Sequence, residues 1–592
     1  MVDSAQSLDE SASEWLSLFE NLIIKSEYSK LKNIFYSDAH WRDILAFTWH
    51  IKTFSGIQNL AKAFELYSPL ISPSRFKIDK KRTSPRLVMR AGRTCIEVIF
   101  SFEMTAGKGS GVLRLCDDEN GAIKAWTIST ELHSLTGFEE HLDGTRPKGF
   151  NYSKGFDGPN WLDDRKTTAA FLSKDPTVLI VGAGQAGLSI AARLGQLSID
   201  TLIVDQEDRI GNNWRNRYHR LSLHNQTHVN HLPYMKFPPN WPAYIPKDKL
   251  AGWFEAYVES MELNVWTNTQ FTGANYNDEK QYWDVTLRKN NEIKRTLRPR
   301  HIIMATGVSG IPHIPNIPSL HKFDGSTVHS SEYKSGEDWK GKRALVIGSG
   351  NSGHDIAQDL YANGVKVLLA QRGPTTIVNI EPSAQLPYRL YEEGLSLEDC
   401  DLLTVATPLE LLKKTHQLIT EETKNLDKDL LSGLSKAGFK TDFGNDNTGW
   451  QFKYLDRGGG YYFNVGCSDL IVGGKIKVIQ FTEIDFFTKE GLTTRNGSAL
   501  PLDLIVLATG FKGQQELVQK FFGAEVAKCV GPIWGFDPIE QELRNMWTRT
   551  PHPGLWFIAG SFAQCRIYSK YLGLQIKACE EGMIPLTRVN PK

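Results

Sequence analysis

The 592-residue sequence predicts an α/β protein with two nested dinucleotide-binding units, preceded by a separate α+β domain. Three observations predict it. An apolar strand, a glycine-rich turn, a helix and a second apolar strand follow one another twice, from Thr177 and from Arg343. Helical spacing followed by strand-like alternation fills residues 1–143. Between the two textures, GTRPKGFNYSKGFDGPNWLDDRK carries four Gly and two Pro in 23 residues and reads as a linker, over 144–174.

In the first domain, SEWLSLFENLIIKSEYSKLKNIF and IQNLAKAFELYSPLI carry helical spacing. RLVMRA and TCIEVIFSFEM then read as strands, as do VLRL and AIKAWTI around an Asn120–Gly121 turn, a hairpin signal. His40, Asp43 and His50 are candidates to line a cavity, with hydrogen-bonded structural roles as the alternative.

The repeated segments are TVLIVGAGQAGLSIAARLGQLSIDTLIVDQ and RALVIGSGNSGHDIAQDLYANGVKVLLAQR. In each, the first glycine permits a tight turn, the second lets backbone approach a pyrophosphate, and the third allows close helix–strand packing. These are Gly182, Gly184 and Gly187, then Gly348, Gly350 and Gly353, with Asn351 following the middle glycine of the second loop. The helices that follow point unsatisfied N–H groups at the phosphates. What comes next separates the two sites. The second strand of the first unit ends at Asp205, a carboxylate suited to ribose hydroxyls, whereas the matching place in the second unit holds Gln371 and Arg372. A carboxylate repels a 2′-phosphate and an arginine grips one, so the second site is expected to take NADPH; the alternative is that Arg372 is a solvated surface charge. Two such sites imply hydride passing from NADPH to a tightly held dinucleotide, for which FAD is the natural candidate. HIIMATG and LDLIVLATGF are apolar strands ending in Ala-Thr-Gly, and they add Thr306, Gly307, Asp503, Thr509 and Gly510 as cofactor-binding candidates.

Between the loops, FDGSTVHSSEY places Phe323, Gly325, His329 and Tyr333 at fixed intervals. Further upstream, GNNWRNRYHRLSLHNQTHVNHLPYMKFPPNWP carries Trp214, Arg215, Tyr218, Leu221, Leu223 and His224. With the two loops and the Ala-Thr-Gly segments, this set resembles the flavin-containing monooxygenase family over residues 175–592, and its YUCCA-like branch most. Departures are Asn212, where the family has a second glycine, and Asn225 after His224. The resemblance implies that Trp214, Arg215 and His224 serve the cofactors, that Phe323–Tyr333 shapes the domain junction, and that Asn225 orients the flavin's oxygen adduct. It also implies an FAD-binding domain split into 175–340 and 481–592 around an NADPH-binding domain at 341–480, with GLWFIAGSFAQCRIYSKYLGLQIKA closing on the flavin. The implied activity is an NADPH-dependent monooxygenase that forms a C4a-hydroperoxyflavin and passes one oxygen atom of O2 to nitrogen, sulfur or a carbonyl. A non-catalytic NADPH/FAD-binding sensor or scaffold that dimerises through the N-terminal domain, or an NADPH oxidase, stays open. That domain resembles the cone-shaped NTF2-like (SnoaL-like) fold, and its attachment to such a core resembles a fungal arrangement.

Composition sets the outer limits. Formal charge +1, 41% hydrophobic and 23% charged residues give no case for nucleic acid or an anionic surface. No apolar run approaches the ~20 residues that span a bilayer, and no basic-then-apolar leader opens the sequence. The expectation is a cytoplasmic protein whose partners are a small-molecule substrate and O2. The seven cysteines include no C-x-x-C, which argues against a dithiol reductase and against a zinc site, so no metal is expected.

Overall fold

The computed structural model describes residues 5–118, 121–146, 157–290 and 293–588. Helix Ala5–Ile24 places Trp15, Leu16, Phe19, Leu22 and Ile23 on one buried stripe, and helix Ile57–Ile71 buries Leu60, Ala63 and Phe64. Both cover a seven-stranded sheet ordered Ile51–Ser55, Phe35–Ile44, Ile123–Leu135, Gly107–Asp117, Arg93–Met104, Ser74–Ile78, with Arg86–Arg90 also paired to Arg93–Met104. Phe35–Ile44 runs parallel to Ile123–Leu135 and the other pairs are antiparallel. Asn120 of the expected turn lies outside the described residues, as do 147–156 of the linker.

The hollow of this sheet is filled by aromatic rings. Trp41 stacks on Phe64 at 3.9 Å between centroids, with Phe47 edge-on to Trp41 at 5.0 Å and Phe76 stacked on Phe102 at 4.9 Å. His40 and Asp43 are occupied locally. His40 Nδ1 lies 2.8 Å from Ser55 Oγ, and the Asp43 carboxylate accepts from Thr48 N (2.8 Å) and the Thr48 and Thr130 hydroxyls (both 2.7 Å). The linker holds a short helix, Trp161–Ala170, capped reciprocally by Asn160 and Asp163.

Two all-parallel sheets follow. The first runs Val265–Trp266, Thr201–Val204, Val178–Val181, His301–Met304, Leu555–Phe557. The second runs Ser326–His329, Leu504–Leu507, Arg343–Ile347, Lys366–Gln371, Lys477–Gln480. In each, the strand before the glycine turn is central, flanked by the strand after the helix and by the strand ending in Ala-Thr-Gly. Val178–Val181, His301–Met304 and Leu504–Leu507 are buried throughout, as strands covered on both faces must be. The first sheet is completed only at Leu555–Phe557, so the first unit is discontinuous and the second is nested within it.

The expected boundaries at 340/341 and 480/481 need correction. Ser326–His329 and Leu504–Leu507 fall outside 341–480, yet both belong to the second sheet. The reason is topological: each unit needs its own Ala-Thr-Gly strand beside the central one, and in the second unit that strand arrives only after the long excursion through residues 380–500.

Replacing Trp41 by Ala removes the centre of the aromatic stack. The cost expected is about 3–5 kcal/mol, read as a lowered first transition in chemical denaturation of the full chain.

Candidate functional site

Both glycine loops adopt the same geometry. Gly182 and Gly348 have φ of +111° and +119°, in the left-handed region that favours glycine. A Cβ on Gly182 would lie 2.7 Å from the Ala305 carbonyl oxygen, and one on Gly348 would lie 2.2 Å from that of Ala508. The alanine of each Ala-Thr-Gly thus packs on the first glycine of its own loop, which is why the two motifs occur in pairs. The third glycines are pressed harder: a Cβ on Gly187 would meet Gly182 O at 1.9 Å, and one on Gly353 would meet Gly348 O at 2.0 Å. The middle glycines face outward. Gly184 and Gly350 precede helices Gln185–Gln196 and Asn351–Ala362 with no side-chain cap on either, so the first-turn N–H groups are open to an anion. A Cβ on Gly350 would have only Tyr461 O near it, at 3.8 Å, and one on Gly184 only the tip of Asn213.

The residues that follow each loop differ as their chemistry requires. Asp205 Oδ2 accepts from Ala183 N at 2.6 Å and Oδ1 from Glu207 N at 2.9 Å, which leaves further acceptor capacity on both oxygens. Burial pushes its carboxyl above the usual range. Gln371 is fully buried and exchanges bonds with Lys440 N and O, both 2.8 Å, so it closes the sheet edge. Arg372 is exposed and makes no ion pair among the described residues.

Other candidates divide into those that face the loops and those that do not. Trp214 packs on Phe562 and keeps a buried indole N–H without a partner. Thr306 Oγ1 accepts from Gln514 Nε2 at 3.3 Å, and the Gln514 carbonyl oxygen is buried and unpartnered. These orphaned groups beside the first loop fit a bound polar cofactor. Helix Phe562–Glu580, capped by Ser561, joins this edge through Gln185 Nε2 to Gly560 O at 3.3 Å. Arg215 instead holds its own turn, donating to Ile210 O and to Asn212, which stands where a second glycine was expected. Asp503 needs correction. It opens the strand Leu504–Leu507 and pairs with Arg343 through N and Nε, both 2.9 Å. Parallel strands deliver ligands at their carboxyl ends, so Asp503 lies at the far edge, roughly 15 Å from the loop at ~3.3 Å per residue, and locks sheet register.

The fingerprint residues frame the second unit. The Phe323 ring covers Gly325, where a Cβ would lie 2.3 Å from it. His329 ends the edge strand and lies with Nε2 3.1 Å from Gly510 O; His313 N donates to the same oxygen, and the Thr509 hydroxyl is spent on His313 O. Tyr333 donates to Asp359 of the second helix at 2.6 Å. Lys334 then reaches Asn216 O at 2.6 Å, tying this frame to the first unit.

A second tie was not legible in sequence. Asp355, on the second loop's helix, accepts from Tyr218 at 2.5 Å and lies 3.8 Å from His224 Nε2. Next to His224, Asn225 donates to the Tyr388 hydroxyl at 3.0 Å. Tyr388 packs on Trp450, which meets Phe463 edge-on at 4.6 Å; Phe463 N donates to Asn351 at 3.2 Å and its ring faces His224. Asn225 therefore sits in an aromatic enclosure that reaches the second loop at Asn351. Gln385 closes it: Nε2 donates to His224 O at 3.2 Å while its carbonyl oxygen stays buried and unpartnered. No local sequence pattern marks Gln385, Tyr388 or Trp450. Among the described residues no group of three or more His, Cys, Asp or Glu could hold a metal, and no helix is long and apolar enough to cross a membrane.

The pyridine nucleotide-disulphide oxidoreductase family matches residues 179–404. Indole-3-pyruvate monooxygenase YUCCA1 of Oryza sativa subsp. japonica is 29% identical over 384 residues, covering 64% of this chain and 84% of that enzyme. Probable indole-3-pyruvate monooxygenase YUCCA4 of Arabidopsis thaliana is 32% identical over 339 residues, covering 57% and 76%. Among solved structures, a cyclohexanone monooxygenase mutant from Rhodococcus sp. Phi1 bound to NADP+ matches with TM-score 0.52 at 15% identity, covering 69% of this chain and 87% of that one. The OTEMO complex with FAD and NADP matches with TM-score 0.50 at 18% identity over the same shares. The solved structures share the fold, and the sequence relatives decide the family: this chain belongs to the flavin-containing monooxygenases, whose cofactors are FAD and NADP(H).

Proposed function

We propose that the protein is an FAD- and NADPH-dependent monooxygenase that inserts one atom of O2 into a small organic substrate. The observation that carries the reading is the pair of loops with the same geometry and opposite residues after them, Asp205 after the first and the exposed Arg372 after the second. FAD binds over Gly182, Gly184 and Gly187, its ribose at Asp205, with the Trp214 N–H and Gln514 carbonyl beside it. NADPH binds over Gly348, Gly350 and Gly353, its 2′-phosphate on Arg372. When bound, the flavin accepts hydride from NADPH and activates O2.

The chain's own groups orient and protect. The two helix N-termini fix both pyrophosphates. His329 and Thr509 hold the turn at Gly510 against which the second nucleotide lies. Tyr218 and His224, gathered on Asp355, fix the angle between the units. Tyr388, Trp450 and Phe463 exclude water from the space beside Asn225, where the substrate meets the flavin. Asn225 is the group we assign to orient the reacting oxygen, with its amide held by Tyr388. The likeness to indole-3-pyruvate monooxygenases favours a 2-oxo acid or another carbonyl as acceptor over nitrogen or sulfur. The helix-on-sheet form of the first domain supports the NTF2-like reading, and we place the protein in the cytoplasm.

The reading is tested with ¹⁸O2 and a panel of 2-oxo acids, sulfides and amines. One labelled oxygen per NADPH in one product class is expected; unlabelled product, or peroxide alone with every class, contradicts it. Arg372→Ala is expected to raise KM for NADPH roughly tenfold to a hundredfold, the worth of a charge-assisted bond, while KM for NADH barely moves. Equal effects on both would remove Arg372 from the site. Gly187→Ala should purify without flavin, whereas Gly353→Ala should keep its flavin and lose NADPH-driven reduction, measured by absorbance of the purified proteins.

A further inference from the structure

Three charged side chains of the first domain, Arg42, Arg82 and Glu131, find ionic partners outside it. Arg42, 6% exposed, sends NH1 to Val405 O (2.7 Å) and Thr407 O (3.0 Å), and NH2 to Glu542 (2.7 Å). Arg82 meets Asp399 at 2.6 Å and Glu398 O at 2.9 Å, while Thr83 adds two more bonds to Asp399 through its N and hydroxyl. Glu131, 2% exposed, accepts from Lys570 at 3.1 Å and from the Tyr571 hydroxyl. Burial alone would push its carboxyl up, and Lys570, His133 and Tyr571 together more than reverse this, leaving it below the usual range. Arg42 and Glu131 are buried, and the half-buried Arg82 serves the buried Asp399; a buried charge that loses its partner is strongly unfavourable, so these three pairs specify how the domain must dock.

Their targets converge on one structure. Asp399, Val405 and Thr407 directly follow the turn Ser383–Glu392, which carries Gln385 and Tyr388 of the enclosure. Lys570 and Tyr571 belong to helix Phe562–Glu580, whose first turn abuts the first loop. From that helix Arg566 pairs with Asp401 at 2.7 Å, so residues 399–401 are held from the first domain on one side and the C-terminal helix on the other. The hollow of the domain is meanwhile filled by Trp41, Phe64 and their neighbours.

We propose that the N-terminal domain is an internal brace for the wall of the enclosure, with Arg42, Arg82 and Glu131 as positioning residues that keep Ser383–Glu392 closed on the substrate space. The catalytic part of this proposal rests on the monooxygenase reading; the mechanical part does not. The test uses the full-length FAD-bound protein carrying Arg42→Met and Arg82→Met. Hydrogen–deuterium exchange is expected to rise about tenfold or more in residues 383–407, with both glycine loops unchanged, since local opening is read by exchange. Peroxide released per NADPH in the presence of substrate should rise while KM for NADPH stays the same. Unchanged exchange in 383–407 overturns the brace, as does faster exchange with peroxide release unchanged. If the double variant does not fold, Glu131→Gln keeps the shape and removes the charge. It should raise exchange in 562–572 and peroxide release together, and a variant indistinguishable from the parent overturns the proposal. If the parent protein oxygenates nothing, exchange alone decides the brace, so the two failures stay separate.

Discussion

The structure depends on one packing constraint that occurs twice: the third glycine of each loop lies so close to the carbonyl of the first that no side chain fits between them. That contact seats a helix on the end of its strand with the first-turn N–H groups free, and a pyrophosphate is what such a place binds best. Everything around the loops preserves it. The Ala-Thr-Gly strand supports the turn from below, and the fully buried parallel strands leave it no room to drift. Since the two units share this geometry, we assign the choice of ligand to single residues after the second strand. Asp205 and Arg372 differ in sign, and sign is what a 2′-phosphate reads.

Joining the units is a different physical problem, solved by buried polar groups. Asp355 gathers Tyr218 and His224 from the first unit, and Lys334 reaches back to Asn216. Such bonds add specificity more than stability, because each partner was hydrogen-bonded to water before folding. They tie the first unit to the second loop's helix next to the aromatic enclosure around Asn225. The first domain extends the same principle outward, through Arg42, Arg82 and Glu131, to the wall on the other side.

What was legible in the sequence was what local chemistry dictates. The glycines of both loops, the carboxylate at Asp205 and the arginine at Arg372 are read from spacing alone, because backbone geometry admits few alternatives there. Periodicity marked both helices of the first domain and its later strands, but placed all strands after the helices; Phe35–Ile44 and Ile51–Ser55 lie between the two helices, and the first of them pairs in parallel. Three further things did not follow. Asp503 stands beside an Ala-Thr-Gly strand in sequence, but nothing local says that it marks the strand's far end. Leu504–Leu507 belongs to the second sheet, which only pairing with Arg343–Ile347 reveals. The Arg42–Glu542 and Tyr218–Asp355 contacts join residues 500 and 137 positions apart, and neither side carries a pattern that names the other.

The most direct test of the account is a crystal structure of the protein grown with FAD and NADP+. The account predicts the FAD pyrophosphate over Gly182–Gly187 with its adenosine ribose at Asp205, and the NADP+ 2′-phosphate on Arg372 with the nicotinamide directed toward the enclosure around Asn225. A single dinucleotide in the protein, or a 2′-phosphate bound away from Arg372, would contradict it.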